Sequence, residues 1–99
     1  MSLKTLTKTI AATGAVEALT ATRTRCGWFV IQVAAGNSGT VSVVDSGGTI
    51  GHVLGVPVAS QPEEKLEVAP GHGQDVFDLS LVYVKGTIND VVYVVYSPY

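Results

Sequence analysis

The chain closes on GTINDVVYVVYSPY, residues 86–99, and the reading of this stretch decides the fold. Val91 to Tyr96 contains no charge and no polar break. The β-branched and aromatic residues make it a strand. In a strand, alternate side chains point to opposite sides. Val91, Tyr93 and Val95 therefore share one face, and Val92, Val94 and Tyr96 share the other. Both faces are apolar, so something must cover each of them.

The same strand signature recurs upstream, in Trp28–Val33, Thr40–Val44 and Leu81–Lys85, with shorter runs at Leu66, Val68 and His52–Val58. Turn signals separate them: Ala35-Gly36-Asn37-Ser38-Gly39, Asp45-Ser46-Gly47-Gly48, Pro70-Gly71-His72-Gly73 and Asn89-Asp90. Pro70-Gly71 suits a turn with a positive φ at its third position, and Gln61–Glu64 reads as an exposed loop. Leu3–Ile10 and Val16–Ala21 are ambiguous, and Gly14 weakens a helical reading of Ala11–Leu19. The expected fold is all-β: a small antiparallel β-sandwich, with jelly-roll connections among its possible forms. Period-two counting nominates Trp28, Val30, Leu79, Leu81 and Tyr83 as core residues.

With 99 residues the chain suits one domain, which buries only about two-thirds of its unfolded surface. Yet 46% of its residues are apolar and 14% are charged, against about 25% charged in an average protein. A surface this poor in charge is covered by Ser, Thr and Gly, or by other subunits. The net charge of −2 gives no case for nucleic-acid binding, but it is unevenly spread. Residues 1–25 carry Lys4, Lys8, Arg23 and Arg25 against Glu17, whereas residues 26–99 are strongly acidic. The first segment reads as an N-terminal arm or edge element, and residues 26–99 read as the β-sandwich domain. The arm's apolar residues Leu3, Leu6 and Ile10 are too sparse for a core and are nominated as contacts to a partner. Threonines and a lysine interrupt every apolar stretch near the start, so neither a signal-peptide core nor a membrane span is expected.

Chemistry is hard to find. Cys26 is the one cysteine, so no intrachain disulfide forms, and a lone Cys leading into WFVIQV reads as a small buried hydrophobe. His52 and His72 lack the spacing of a zinc ligand set. His72 and Asp75 sit in a Gly-rich turn and read as solvated. The glycines at 47–51 have no Walker lysine. Glu63, Glu64 and Glu67 read as solvated carboxylates. No catalytic residue, metal site or cofactor is expected, and the absence of an acid–base pair points to a binding or structural role.

Three pieces in order carry a resemblance. They are Cys26–Val33 followed by Asn37–Val44, then Leu66–Gly71, then Leu79–Gly86 followed by Asn89–Tyr96. Together they resemble small all-β virion proteins of tailed bacteriophages, of the head-decoration, cement or tail-accessory kind. The likeness covers about residues 26–96. It departs from the pattern at His72, and at Asn89-Asp90, where glycine is missing. It implies a structural subunit, a homotrimer by preference, on the capsid surface of a virion and made in the host cytoplasm. It also implies the major capsid protein as partner, and neither nucleic acid nor membrane. One face of the last strand would fill the core, and Val92, Val94, Tyr96 and Tyr99 would lie against a neighbouring subunit; the alternative is that a second layer of the same chain hides the strand on both sides. The alternatives are a tail or baseplate accessory and a carbohydrate-binding module that uses its tyrosines as a stacking platform.

Overall fold

The computed structural model describes residues 3–34, 36–55, 65–68 and 77–98, the side chains of Lys65 and Val68 excepted. These residues form β1 (Lys4–Thr9), β2 (Glu17–Ala18), β3 (Arg25–Val33), β4 (Val41–Val44), β5 (Ile50–Leu54), β6 (Lys65–Val68) and β7 (Phe77–Asp78). A 3-10 turn (Leu79–Leu81), β8 (Tyr83–Lys85) and β9 (Val91–Pro98) complete them. They lie in two antiparallel sheets, as expected of an all-β sandwich. One sheet has the order β1-β9-β3-β6, with β7 also on β3, and the other has the order β2-β8-β4-β5.

The pairing is nested. β1 pairs with β9, β2 with β8, β3 with β7 and β6, and β4 with β5. The described chain is thus laid out as one long hairpin closed at the β4–β5 turn, and β3·β9 and β4·β8 roll it into two layers. In that turn Asp45 accepts hydrogen bonds at one carboxylate oxygen from the N–H groups of Gly47 and Thr49, both at 2.9 Å. Gly48 supplies a positive φ of 89°.

The nesting explains the apolar final strand. β9 lies between β1 and β3, so both of its hydrogen-bonding edges are used. Val92 and Val94 are fully buried in the core, and Tyr96 packs against it. The core also takes Ile10, Leu19, Cys26, Phe29, Ile31, Val33, Val41, Leu54, Leu79 and Val84. Phe29 and Phe77 meet edge to face, with ring centroids 5.6 Å apart.

The register of β3 is the reverse of the expected one. Phe29, Ile31 and Val33 point inward, while Trp28 and Val30 are half-buried on the outer side. Cys26 and Phe29 both face the core although they are three residues apart. A shift in pairing between Cys26 and Trp28 inserts Gly27 as an extra residue, as a bulge does. Leu79 is buried as expected, but Leu81 is exposed, because the 3-10 turn breaks the period-two count. Tyr83 is half-buried on the outer side of its sheet, opposite Val44.

The described residues before β3 supply edge strands. β1 forms one edge of its sheet over six residues, and β2 forms an edge of the other. Ile10 is fully buried and Leu19 nearly so; these two side chains tie the segment to the core. Lys8 and Glu17 pair at 2.8 Å, joining the two edge strands across the sheets. Glu17 also accepts from the N–H groups of Ala11 and Ala12.

Candidate interaction faces

Four of the described carboxylates, those of Glu17, Asp45, Asp78 and Asp90, hold loops and turns in place. Asp90 is buried and accepts from Ser38 N–H at 2.8 Å, Ser38 Oγ at 3.0 Å and Gly39 N–H at 2.9 Å. Asn37 completes the clasp, donating to the carbonyl of Val91 and accepting from its N–H. A β-carbon on Gly39 would come within 2.7 Å of Thr87 Oγ1, so a larger residue here would have to displace that hydroxyl. Burial pushes the Asp90 carboxyl upward, but the hydrogen bonds from Ser38 and Gly39 outweigh it and hold the group below its ordinary value. Asp78 caps the 3-10 turn through the N–H and hydroxyl of Ser80 and also accepts from Thr24 N–H. Its carboxyl is lowered, first by Ser80. In Glu17 desolvation raises the pKa, and the bonds from Lys8, Ala11 and Ala12 overcome it.

Cys26 is buried, and desolvation followed by the charge of Asp78 pushes its thiol upward, away from the reactive thiolate. His52 is exposed on β5. His72 and Asp75 lie outside the described residues, as do the Pro70-Gly71 turn and the Gln61–Glu64 loop. Among the described residues no group of three or more His, Cys, Asp or Glu is placed to hold a metal ion. No helix among them is long and apolar enough to cross a membrane.

What the fold does present is two apolar sheet faces. On the outside of the β9 sheet, cross-strand rows follow from the register. Thr5, Val95, Val30 and Glu67 form one row, and Thr7, Tyr93 and Gln32 belong to the next. The centre of this face is Trp28, Val30, Val91, Tyr93 and Val95, bordered by threonines, and Tyr93 is 46% exposed. On the outside of the β8 sheet, Ala18, Tyr83, Val44 and Ile50 form a row across all four strands. The next row holds Lys85, Ser42 and Val53. A register shift at Gly51 puts Ile50 and Val53 on the same side, and they are 53% and 49% exposed. Val16, also exposed, packs close to Gly48.

These faces reassign the expected contact residues. Ile10, Val92 and Val94 are fully buried within this chain and offer no free surface, whereas Leu6 and Tyr96 are partly buried against its core. Leu3 is exposed, and Tyr99 lies outside the described residues. The outward set on β9 is Val91, Tyr93 and Val95. The face of the β8 sheet was not foreseen. Its signal was Ile50 and Val53 flanking a Gly-His pair, whose odd spacing hides a shared face unless a bulge is assumed.

No protein-family model, no curated protein and no solved structure matches this chain.

Proposed function

We propose that this protein is a structural assembly subunit, of the kind that decorates or braces a phage capsid, and that it works by burying apolar surface without a chemical step. The observation that supports this reading is the pair of charge-poor apolar faces on opposite sides of a thin sandwich. Apolar patches of this kind mark contact surfaces. The carboxylates of Asp45, Asp78, Asp90 and Glu17 are occupied by backbone N–H groups, which suits a scaffold. The nested strand order fits jelly-roll connections, an architecture used by viral capsid domains among others. The resemblance of residues 26–96 to small phage virion proteins agrees with it, and a tail-accessory position remains the closest variant. A sugar-binding platform is less well supported, because Tyr93 is the one strongly exposed aromatic among the described residues.

The test is compositional. The protein is expected as a stoichiometric component of purified particles of a phage that carries its gene, and particles lacking it should lose heat resistance. Absence from purified particles would refute the virion assignment. Sedimentation equilibrium at micromolar concentration tests the assembly itself, with a homo-oligomer, preferably a trimer, as the expected species.

A further inference from the structure

β1 leaves one strand edge open. It pairs with β9 on one side, and among the described residues no strand pairs with its other side. Ile10 N–H donates to the Asp90 carbonyl, and the Ile10 carbonyl accepts from Asn89 N–H, so Ile10 turns its polar groups to the β9 side. Alternate residues of a strand turn theirs the same way, so Lys8, Leu6 and Lys4 also address β9. Val91 agrees from the opposite strand. Its carbonyl accepts from Ala34 N–H and its own N–H goes to Asn37, which leaves Val92, Val94 and Tyr96 to face β1. Thr5, Thr7 and Thr9 therefore direct their N–H and carbonyl groups away from the sheet. Beyond them the edge is closed, because the Glu17 carboxylate takes the N–H of Ala11. The other edges are blunted. β2 is two residues long, β6 is four, and β5 carries the pairing shift at Gly51. Short strands and bulges are common guards against edge pairing. β1 runs for six residues with no proline, glycine or shift of register. Lys8 would guard it as an inward-pointing charge, but Glu17 holds its ammonium at 2.8 Å.

We propose that a second copy of this chain pairs with the open edge of β1, antiparallel, about a two-fold axis at Thr7. The inference rests on the assembly reading above and specifies one contact within it. The open span fixes the register. With the axis at Thr7, Thr5 faces Thr9 of the second copy, Thr7 faces its own counterpart, and Thr9 faces Thr5. Each of these pairs exchanges both of its N–H···O bonds, so every open backbone group from Thr5 to Thr9 is used. The three threonine side chains are exposed, and facing threonines are a favourable cross-strand pair. Charge selects the same register. Lys8 falls opposite Leu6, and Lys4 opposite Ile10. An axis at Leu6 would set Lys4 against Lys8, and an axis at Lys8 would set two copies of Lys8 together. Like charges directly opposite destabilise a strand pair. The contact is isologous, so it closes on two copies and leaves neither β1 edge open. It also joins the two β9 sheets into one, with their apolar outer faces around Tyr93 on the same side. A strand pair of this length buries less than the roughly 800 Å² per partner of a standard interface, so the association is weak.

The experiment is sedimentation equilibrium of the full chain as wild type, T7P, T7K and L6P, carried well above micromolar concentration. Thermal melts of dilute samples, followed by circular dichroism, are the folding control. Thr7 sends its N–H outward, so proline there blocks a second strand and spares the ladder of β1 on β9. Leu6 sends its N–H to β9, so L6P is expected to lower the melt while T7P stays much nearer the wild type. The wild type is expected as a dimer. T7P is expected to weaken association by about tenfold or more, and so is T7K, which sets two lysines face to face across the axis. T7K carries the test if T7P fails to fold. A dimer that the folded variants do not disturb, or a wild-type trimer, overturns this contact and leaves the assembly reading standing. A wild type that stays monomeric throughout overturns it too, and the virion assignment then rests on particle composition.

Discussion

The carboxylate of Asp90 accepts hydrogen bonds from both the N–H and the hydroxyl of Ser38, 52 residues earlier in the chain. With the bond from Gly39 and the paired bonds between Asn37 and Val91, it clasps the β3–β4 loop to the start of β9. Asp90 also fixes the end of β1, since its carbonyl accepts from Ile10 N–H. Asp90→Asn turns one acceptor oxygen into a donor that faces an N–H. It is expected to cost about 1–3 kcal/mol, the range for a buried group left unsatisfied, measured by urea denaturation.

Acid should act on the same clasp. The folded pKa values of Asp90, Asp78 and Glu17 all lie below their ordinary values. Between the folded and unfolded pKa the unfolded chain binds more protons, so stability rises with pH there. The contribution is complete above the ordinary carboxylate range, about pH 4 to 4.5, and is lost as pH falls through the depressed values. Thermal melts from neutral pH downward should show a flat Tm until that range and a fall below it. The fall should be shallower in Asp90→Asn. A Tm that climbs on acidification would contradict these assignments.

The inverted register of β3 yields a paired test. Ile31 is fully buried and Val30 only half-buried. Ile31→Ala should destabilise by about 2–5 kcal/mol, and Val30→Ala by clearly less. Equal losses would mean that the outer face is buried as deeply as the core.

Much of the fold was legible because the turns announce themselves. Asp45-Ser46-Gly47-Gly48 and Asn89-Asp90 fall where expected, and most of Trp28–Val33, Thr40–Val44 and Val91–Tyr96, with Tyr83–Lys85, lie in strands. The faces were harder to read, because Trp28–Val33 and Val91–Tyr96 are apolar on both sides and alternation cannot choose between them. Gln32 was the available hint. It shares a side with Trp28 and Val30, and a lone polar residue marks the wetter face. Ile10 was misread for another reason. Its neighbours are threonines and alanines, and only the nesting of β1 against β9 shows that this isolated isoleucine ends in the core.

That placement makes the N-terminal segment a test of the fold. Deleting residues 1–10 removes the ladder of β1 on β9 and the Ile10 side chain, and it uncovers an edge of β9. The truncated chain is expected to unfold or aggregate, since an exposed apolar strand edge is a template for pairing. Ile10→Ala alone should cost about 2–5 kcal/mol. A truncated chain that stays soluble with an unchanged melt would restore the reading of this segment as a free arm.

Cys26 offers a direct probe of the clasp and the core together. Its side chain is fully buried, and burial followed by the Asp78 charge keeps the thiol in its protonated form. A thiol reagent reacts with the thiolate, so labelling of the native chain requires an opening that brings Cys26 to water. β3 pairs with β9 and β7 around this residue, so that opening involves the centre of the sheet. When opening is fast relative to labelling, the rate reports the population of the open form and so its free energy. Native labelling should therefore be slower than labelling in urea by several orders of magnitude. Asp90→Asn, remote from Cys26 in sequence, should speed it by the factor that its destabilisation predicts, about tenfold per 1.4 kcal/mol. If labelling accelerates far less than the global melt predicts, Cys26 is reached by a local fluctuation at the β3–β7 end that leaves the clasp closed.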